Sequence, residues 1–90
     1  MIHLYVKQHN ITKLKYFGKT YAQNPFEYMG SGKYWLRHIK KHGKEHVITL
    51  NVWSFNSQKD ATEFALKYSS DNDITKSADW ANLKEENALS

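Results

Sequence analysis

Ile2-His3-Leu4-Tyr5-Val6-Lys7-Gln8, followed after a short break by Lys13-Leu14-Lys15-Tyr16-Phe17-Gly18, is the stretch that decides the fold. Ile2, Leu4 and Val6 alternate with His3, Tyr5 and Lys7, the period-2 pattern of a half-buried strand. Asn10-Ile11-Thr12 interrupts the alternation. It resumes with Leu14 and Tyr16 on one side and Lys13, Lys15 and Phe17 on the other. Two such runs with so short a connection make a β-hairpin, and Gly18 ends its second strand.

Outward from the hairpin, Asn24-Pro25 marks a loop over residues 20–30. Next comes Tyr28-Met29-Gly30-Ser31-Gly32-Lys33, which opens into a basic helix at about residues 32–42. Ser31 is placed to cap its start and Gly43 to close it in a left-handed conformation. Free N–H groups at a positive helix end, with Gly30, Ser31, Gly32 and Lys33, form an anion-site pattern. The full phosphate-loop spacing is absent. Lys33, Arg37, Lys40, Lys41 and Lys44 follow i, i+4, i+7, i+8, i+11 spacing, a basic stripe beside Trp35, Leu36 and Ile39, which are assigned to the core.

The run Val47 to Phe55 is apolar, β-branched and aromatic, which predicts a third strand, central and covered on both faces. Ser57 and Asp60 start a second helix in a capping-box-like arrangement. Its Ala61, Phe64, Ala65 and Tyr68 face the sheet, and it ends near Ser69-Ser70. Residues 71–90 read as a tail that docks through Trp80, with a frayed end from Glu85 to Ser90. The order β-β-α-β-α plus tail predicts one small α+β domain with its body in residues 1–70.

Ninety residues suffice for one core. With no cysteine there is no disulfide and no thiolate metal site, which fits a reducing compartment. No run is long and apolar enough to cross a bilayer, so a soluble, cytoplasmic protein is expected, without a membrane partner. Residues 1–46 hold nine Lys/Arg against two acids, a charge of +7, while residues 47–90 hold four Lys against seven acids, −3. A basic half interleaved with tyrosines suits nucleic-acid phosphates and stacked bases. Lysines that merely keep a small protein soluble are the alternative.

Leu4-Tyr5-Val6 and Lys15-Tyr16-Phe17-Gly18-Lys19-Thr20 resemble the two motifs of the GIY-YIG nuclease superfamily, with the two tyrosines eleven residues apart across a hairpin. Lys40-Lys41-His42-Gly43 before a hydrophobic strand is similar to homing-endonuclease members, and residues 28–43 are similar to small phage-encoded nucleases. The resemblance covers about residues 2–70. It implies a divalent-metal-dependent DNA endonuclease, with Mg²⁺ or Mn²⁺ as cofactor and a phage-infected host cell as its setting. Within it, Tyr5 and Tyr16 match the motif tyrosines at the reacting phosphate and Gly18 the motif glycine. Asn82 is similar to a C-terminal asparagine of some members.

This chain departs from the pattern in three places: His3 precedes Leu4 where the first motif has glycine, the helix arginine has no direct match, and the glutamate that binds the metal falls near Ala65. Lys33 or Arg37 is assigned the arginine's charge, and Glu63 is the nearest carboxylate to the glutamate's place, with Glu27 in the loop as another. His38 is a candidate general base or phosphate contact, and Lys19, Lys40 and Lys41 candidate DNA contacts.

Rival readings use the same residues. His38, His42 and His46 have i, i+4, i+8 spacing, a zinc-like pattern broken by Gly43. Tyr5 and Tyr16 also make sense as a plain cross-strand aromatic pair. The second functional hypothesis is a catalytically decayed GIY-YIG fold that binds DNA, a host protein or a second copy of itself.

Overall fold

The computed structural model describes residues 1–89. The chain is an α+β domain in which β1 (Ile2–His9), β2 (Lys15–Thr20) and β3 (Val47–Phe55) form one antiparallel sheet in the order β2-β1-β3. Helix α1 (Lys33–His42) and a short 3₁₀ turn (Lys44–His46) precede β3, and α2 (Gln58–Asp71) follows it.

The hairpin forms as expected, with Tyr5 opposite Gly18 and Lys7 opposite Tyr16. The expected roles of the strands are exchanged. β1 is the central strand and is covered on both faces: Leu4 and Val6 on one, Tyr5, Lys7 and His9 on the other, all at most 1% exposed. Polar residues at alternate positions read as a wet face, but α1 and the preceding loop lie over them. β3 is the edge strand, and Ile48 and Leu50 stand about 40% exposed (40% and 43%). A bulge lets Val6 pair with Asn51 and Lys7 with Thr49, so Leu50 is the extra residue left without a partner.

Each sheet face carries its own helix. On the first, Ile2, Leu4, Val6 and Phe17 pack with Ala61 and Ala65 of α2 and with Ile74, Trp80 and Ala88 of the tail; Trp53 and Phe55 of β3 flank them. On the second, Tyr5, Leu14 and Tyr16 pack with Trp35 and Ile39 of α1. Leu36, expected in the core, is 39% exposed, because one residue past Trp35 turns it about 100° away from the buried stripe.

The helix ends show both kinds of outcome. Gly32 holds the N-cap position of α1 with no side-chain cap, so Ser31 does not take the role expected of it. Gly43 has φ +106° and donates its N–H to the Ile39 carbonyl, the positive-φ closure that only glycine adopts freely. Ser57 accepts the Asp60 N–H at the start of α2.

The tail is ordered structure rather than a frayed end. Lys15 donates its N–H to Asp79 and accepts that of Ala81, which lays the tail along the outer edge of β2. The Asn82 amide extends that pairing, accepting the Phe17 N–H at 3.0 Å and donating to the Phe17 carbonyl at 2.8 Å. Trp80 docks as expected, 7% exposed, with the Lys15 ammonium 4.6 Å above its ring. Farther on, Ser69 and Glu86 exchange hydrogen bonds, Gln58 donates to the Ala88 carbonyl, and Ala88 is fully buried. Of the stretch expected to fray, Ser90 alone lies outside the described residues. No helix among the described residues is long and apolar enough to cross a membrane.

Candidate functional site

The hairpin register places Tyr5, Gly18 and Tyr16 on the sheet face that α1 covers. The Tyr5 and Tyr16 ring centroids are 6.2 Å apart, Tyr28 meets Tyr5 edge-on at 5.8 Å, and Trp35 stacks on Tyr16 at 5.8 Å. The motif glycine has a local explanation. A Cβ at Gly18 would run into the Tyr5 hydroxyl and lie 2.7 Å from the Tyr16 ring, so only glycine leaves room for both phenols.

The two phenols differ in access. Tyr5 is fully buried, and its hydroxyl has no hydrogen-bond partner among the described residues. Burial, then the neighbouring Tyr16 and Tyr28, push its pKa far above the ordinary phenol range. Tyr16 is 8% exposed, with its hydroxyl 3.5 Å from Ser31 Oγ, and burial raises its pKa as well. Both phenols are protonated at neutral pH. A neutral phenol of this kind can donate a hydrogen bond but is not a base at that pH.

Tyr16 opens onto a groove of about 470 Å³. One wall is the start of α1, with Gly32, Lys33 and Tyr34; the other is the tail, including Asn82, Lys84, Glu85 and Glu86. Glu86 is the carboxylate that the sequence reading missed, because the last six residues carry no periodic signal and read as a loose end. Its pKa is raised by burial, an effect partly offset by the Ala88 N–H on its Oε2 and by the charge of Lys19.

A second unforeseen residue holds the loop that precedes α1. Lys7, 1% exposed, donates to the carbonyls of Pro25 (2.8 Å) and Phe26 (3.1 Å) and to Thr49 Oγ1 (2.7 Å). All three ammonium donors are used, so Lys7 fastens the loop that leads to Gly30–Gly32 onto the sheet. Burial lowers its pKa.

The other sequence candidates divide into two sets. Lys33, Arg37, Lys40 and Lys41 are exposed along α1, as a phosphate-contacting stripe requires. Lys19 is half-buried, with its ammonium 4.4 Å above the Tyr21 ring. Gly30 leads into the groove, packed against Trp35. His38 belongs to a different cluster: its Nε2 is 2.7 Å from Thr12 Oγ1, and its ring is 4.5 Å from His42 and 5.6 Å from His9. Desolvation and then His42, His9 and Lys41 lower its pKa.

His9 joins that cluster unannounced by the spacing. Its Nδ1 accepts the N–H groups of Ile11 and Thr12 while Nε2 donates to the carbonyls of His42 and Gly43, which leaves neither nitrogen for a metal. Glu63 is exposed on α2, and Ala65 is fully buried against Leu4 and Val6. α2 lies on the sheet face opposite the tyrosines, so neither position reaches them. Glu27 is exposed in its loop. No group of three or more His, Cys, Asp or Glu among the described residues is arranged to hold a metal ion.

Comparison with known proteins finds no matching family model, no similar curated protein and no similar solved structure.

Proposed function

We propose that this domain binds nucleic acid and hydrolyses a phosphodiester bond in the groove at Tyr16, as a metal-dependent endonuclease of GIY-YIG-like type. The observation that carries the reading is the meeting, in one groove, of a protonated Tyr16, the glycine-flanked start of α1 with Lys33, and the Glu86 carboxylate. Tyr16 donates its hydroxyl hydrogen to a non-bridging phosphate oxygen. Lys33 and the free N–H groups of the first turn of α1 supply the counter-charge, and Arg37, Lys40 and Lys41 carry the flanking phosphates. Tyr5 is a positioning residue: buried against Gly18, it sets the placement of the Tyr16 ring.

A hard divalent ion such as Mg²⁺ asks for only one or two carboxylates and keeps several waters. Glu85 and Glu86 line the groove and meet that demand, so they are the residues that would hold it. When bound, the ion would polarise the phosphate and a water.

The second reading is a non-catalytic nucleic-acid-binding module on the same fold. One observation favours it: α2 brings no carboxylate to the tyrosine face, where Ala65 is buried in the opposite layer.

Nicking of supercoiled plasmid with Mg²⁺ or Mn²⁺ against EDTA, for wild type, Tyr16→Phe and Glu86→Gln, decides between them. Metal-dependent nicking lost in both variants, with binding retained, supports the enzyme. No nicking beside salt-sensitive DNA binding selects the module, and binding that is flat with salt removes nucleic acid altogether.

A further inference from the structure

The groove and the basic stripe of α1 differ in chemistry. Arg37, Lys40 and Lys41 stand exposed on the helix, free to meet phosphates. The groove is lined by Lys33 and Lys84 and by Glu85 and Glu86, so its formal charges balance, and one rim is the ring of Tyr34, 42% exposed. Apart from the one phosphate assigned to Tyr16 and Lys33 at the start of α1, two carboxylates leave the groove no surplus positive charge for a run of phosphates. The remaining space at the Tyr34 rim suits a nucleobase, whose flat face stacks on an aromatic ring. Beside it, Lys19, whose charge is felt by Glu86, lies over a second aromatic ring, Tyr21, 61% exposed.

Resting on the proposed function, we infer that the substrate is a nucleic acid with an unpaired nucleotide, whose base enters the groove and stacks on Tyr34 while its neighbours' phosphates run along α1. One dimension and one feature of duplex geometry favour this over intact duplex. A volume of about 470 Å³ lies in the ~300–1,000 Å³ range of small-ligand pockets and admits one extruded nucleotide, not a double helix. A base inside a duplex has both faces stacked and its pairing edge engaged, so it offers Tyr34 no surface.

The test is fluorescence anisotropy with one labelled oligonucleotide, presented single-stranded and annealed to its complement, in DNA and in RNA form. It uses the full chain, Tyr34→Ala and Tyr34→Phe. Tyr34 is exposed, so circular dichroism will show both variants folded. The inference expects single strand bound at least tenfold tighter than duplex. It also expects Tyr34→Ala to weaken single-strand binding about 5- to 150-fold, the range of one stacked base, with duplex binding unchanged and Tyr34→Phe near wild type. Duplex bound as tightly as single strand, or Tyr34→Ala without effect on single strand, overturns the inference and leaves the proposed function standing. Absence of salt-sensitive binding to either form overturns both.

Discussion

Replacing Tyr5 by phenylalanine will stabilise the protein. The hydroxyl is fully buried and unpartnered, and leaving such a group unsatisfied costs about 1–3 kcal/mol. Removing the oxygen relieves that cost. It leaves a void of one small atom, packed against Gly18 and the Tyr16 ring, and the lost contacts return less than about 1 kcal/mol. The expected net gain is about 0.5–2 kcal/mol, which for a domain of this size raises Tm by roughly 2–16 °C.

A linked pH effect checks the cause. The folded-state pKa of Tyr5 is raised, so its contribution is present below the ordinary phenol pKa of about 10 and is lost as the pH rises above it, where the unfolded chain ionises. Tyr5→Phe should therefore flatten the alkaline fall of stability. Urea unfolding of both proteins between pH 7 and 11 measures the two effects together. Destabilisation by more than about 1 kcal/mol would refute the reasoning, since it would mean that the hydroxyl is hydrogen-bonded in the folded protein.

Lys7→Met keeps the buried stem but strips the Pro25 carbonyl of its donor, a loss of about 1–3 kcal/mol in urea unfolding. Because the folded pKa of Lys7 is lowered, the unfolded chain binds the extra proton. Wild-type stability should then gain a contribution as pH rises toward 10.5 that the methionine variant lacks. Asn82→Ala leaves the Phe17 N–H and carbonyl unpaired in a buried setting and should cost about 2–5 kcal/mol, with hydrogen exchange at Phe17 accelerated. His38, with its lowered pKa, contributes stability that is present above pH 6.5 and lost as the pH falls through its folded value; His38→Gln should remove that acid-side slope in thermal melts at pH 4–7.

The hairpin was legible because its information is local. Alternation names the two faces, and the Tyr5–Tyr16 spacing fixes the register that brings both rings to one of them. Strand order was not, because hydrophobicity reports burial and not position in the sheet. Val47–Phe55 looks like an interior strand, yet its aromatics Trp53 and Phe55 are only the flank of a layer built by β1 and α2. His3, Tyr5 and Lys7 look like a wet face, yet Tyr5 and Lys7 lie beneath α1 and the loop. Lys7 is the instructive case. A lysine is the last residue to assign to a core, and it is buried here because three acceptors far along the chain, from Pro25, Phe26 and Thr49, meet its three protons.

The candidate site follows the same division. Tyr5, Tyr16 and the basic stripe of α1 could be placed from the sequence because each lies in a periodic element, and Gly18 was singled out through the resemblance. The far wall of the groove could not, because the tail is positioned by contacts with no sequence period: Trp80 and Ala88 in the core, backbone pairing at Lys15, and polar bridges from Asn82 to Phe17 and from Ser69 to Glu86. Those bridges also bear on chemistry. A carboxylate delivered by a strap of this kind does not depend on the register of α2, so Ala65 in the opposite layer removes the glutamate of the resembled pattern without removing every carboxylate from the tyrosine face. Cutting the strap's anchor separates the two proposed functions. Ser69→Ala loosens Glu86 but leaves Tyr16, Lys33 and the α1 stripe in place. Under the enzyme reading it should depress metal-dependent nicking with little change in oligonucleotide affinity. An equal loss of affinity would place the strap in the binding surface itself.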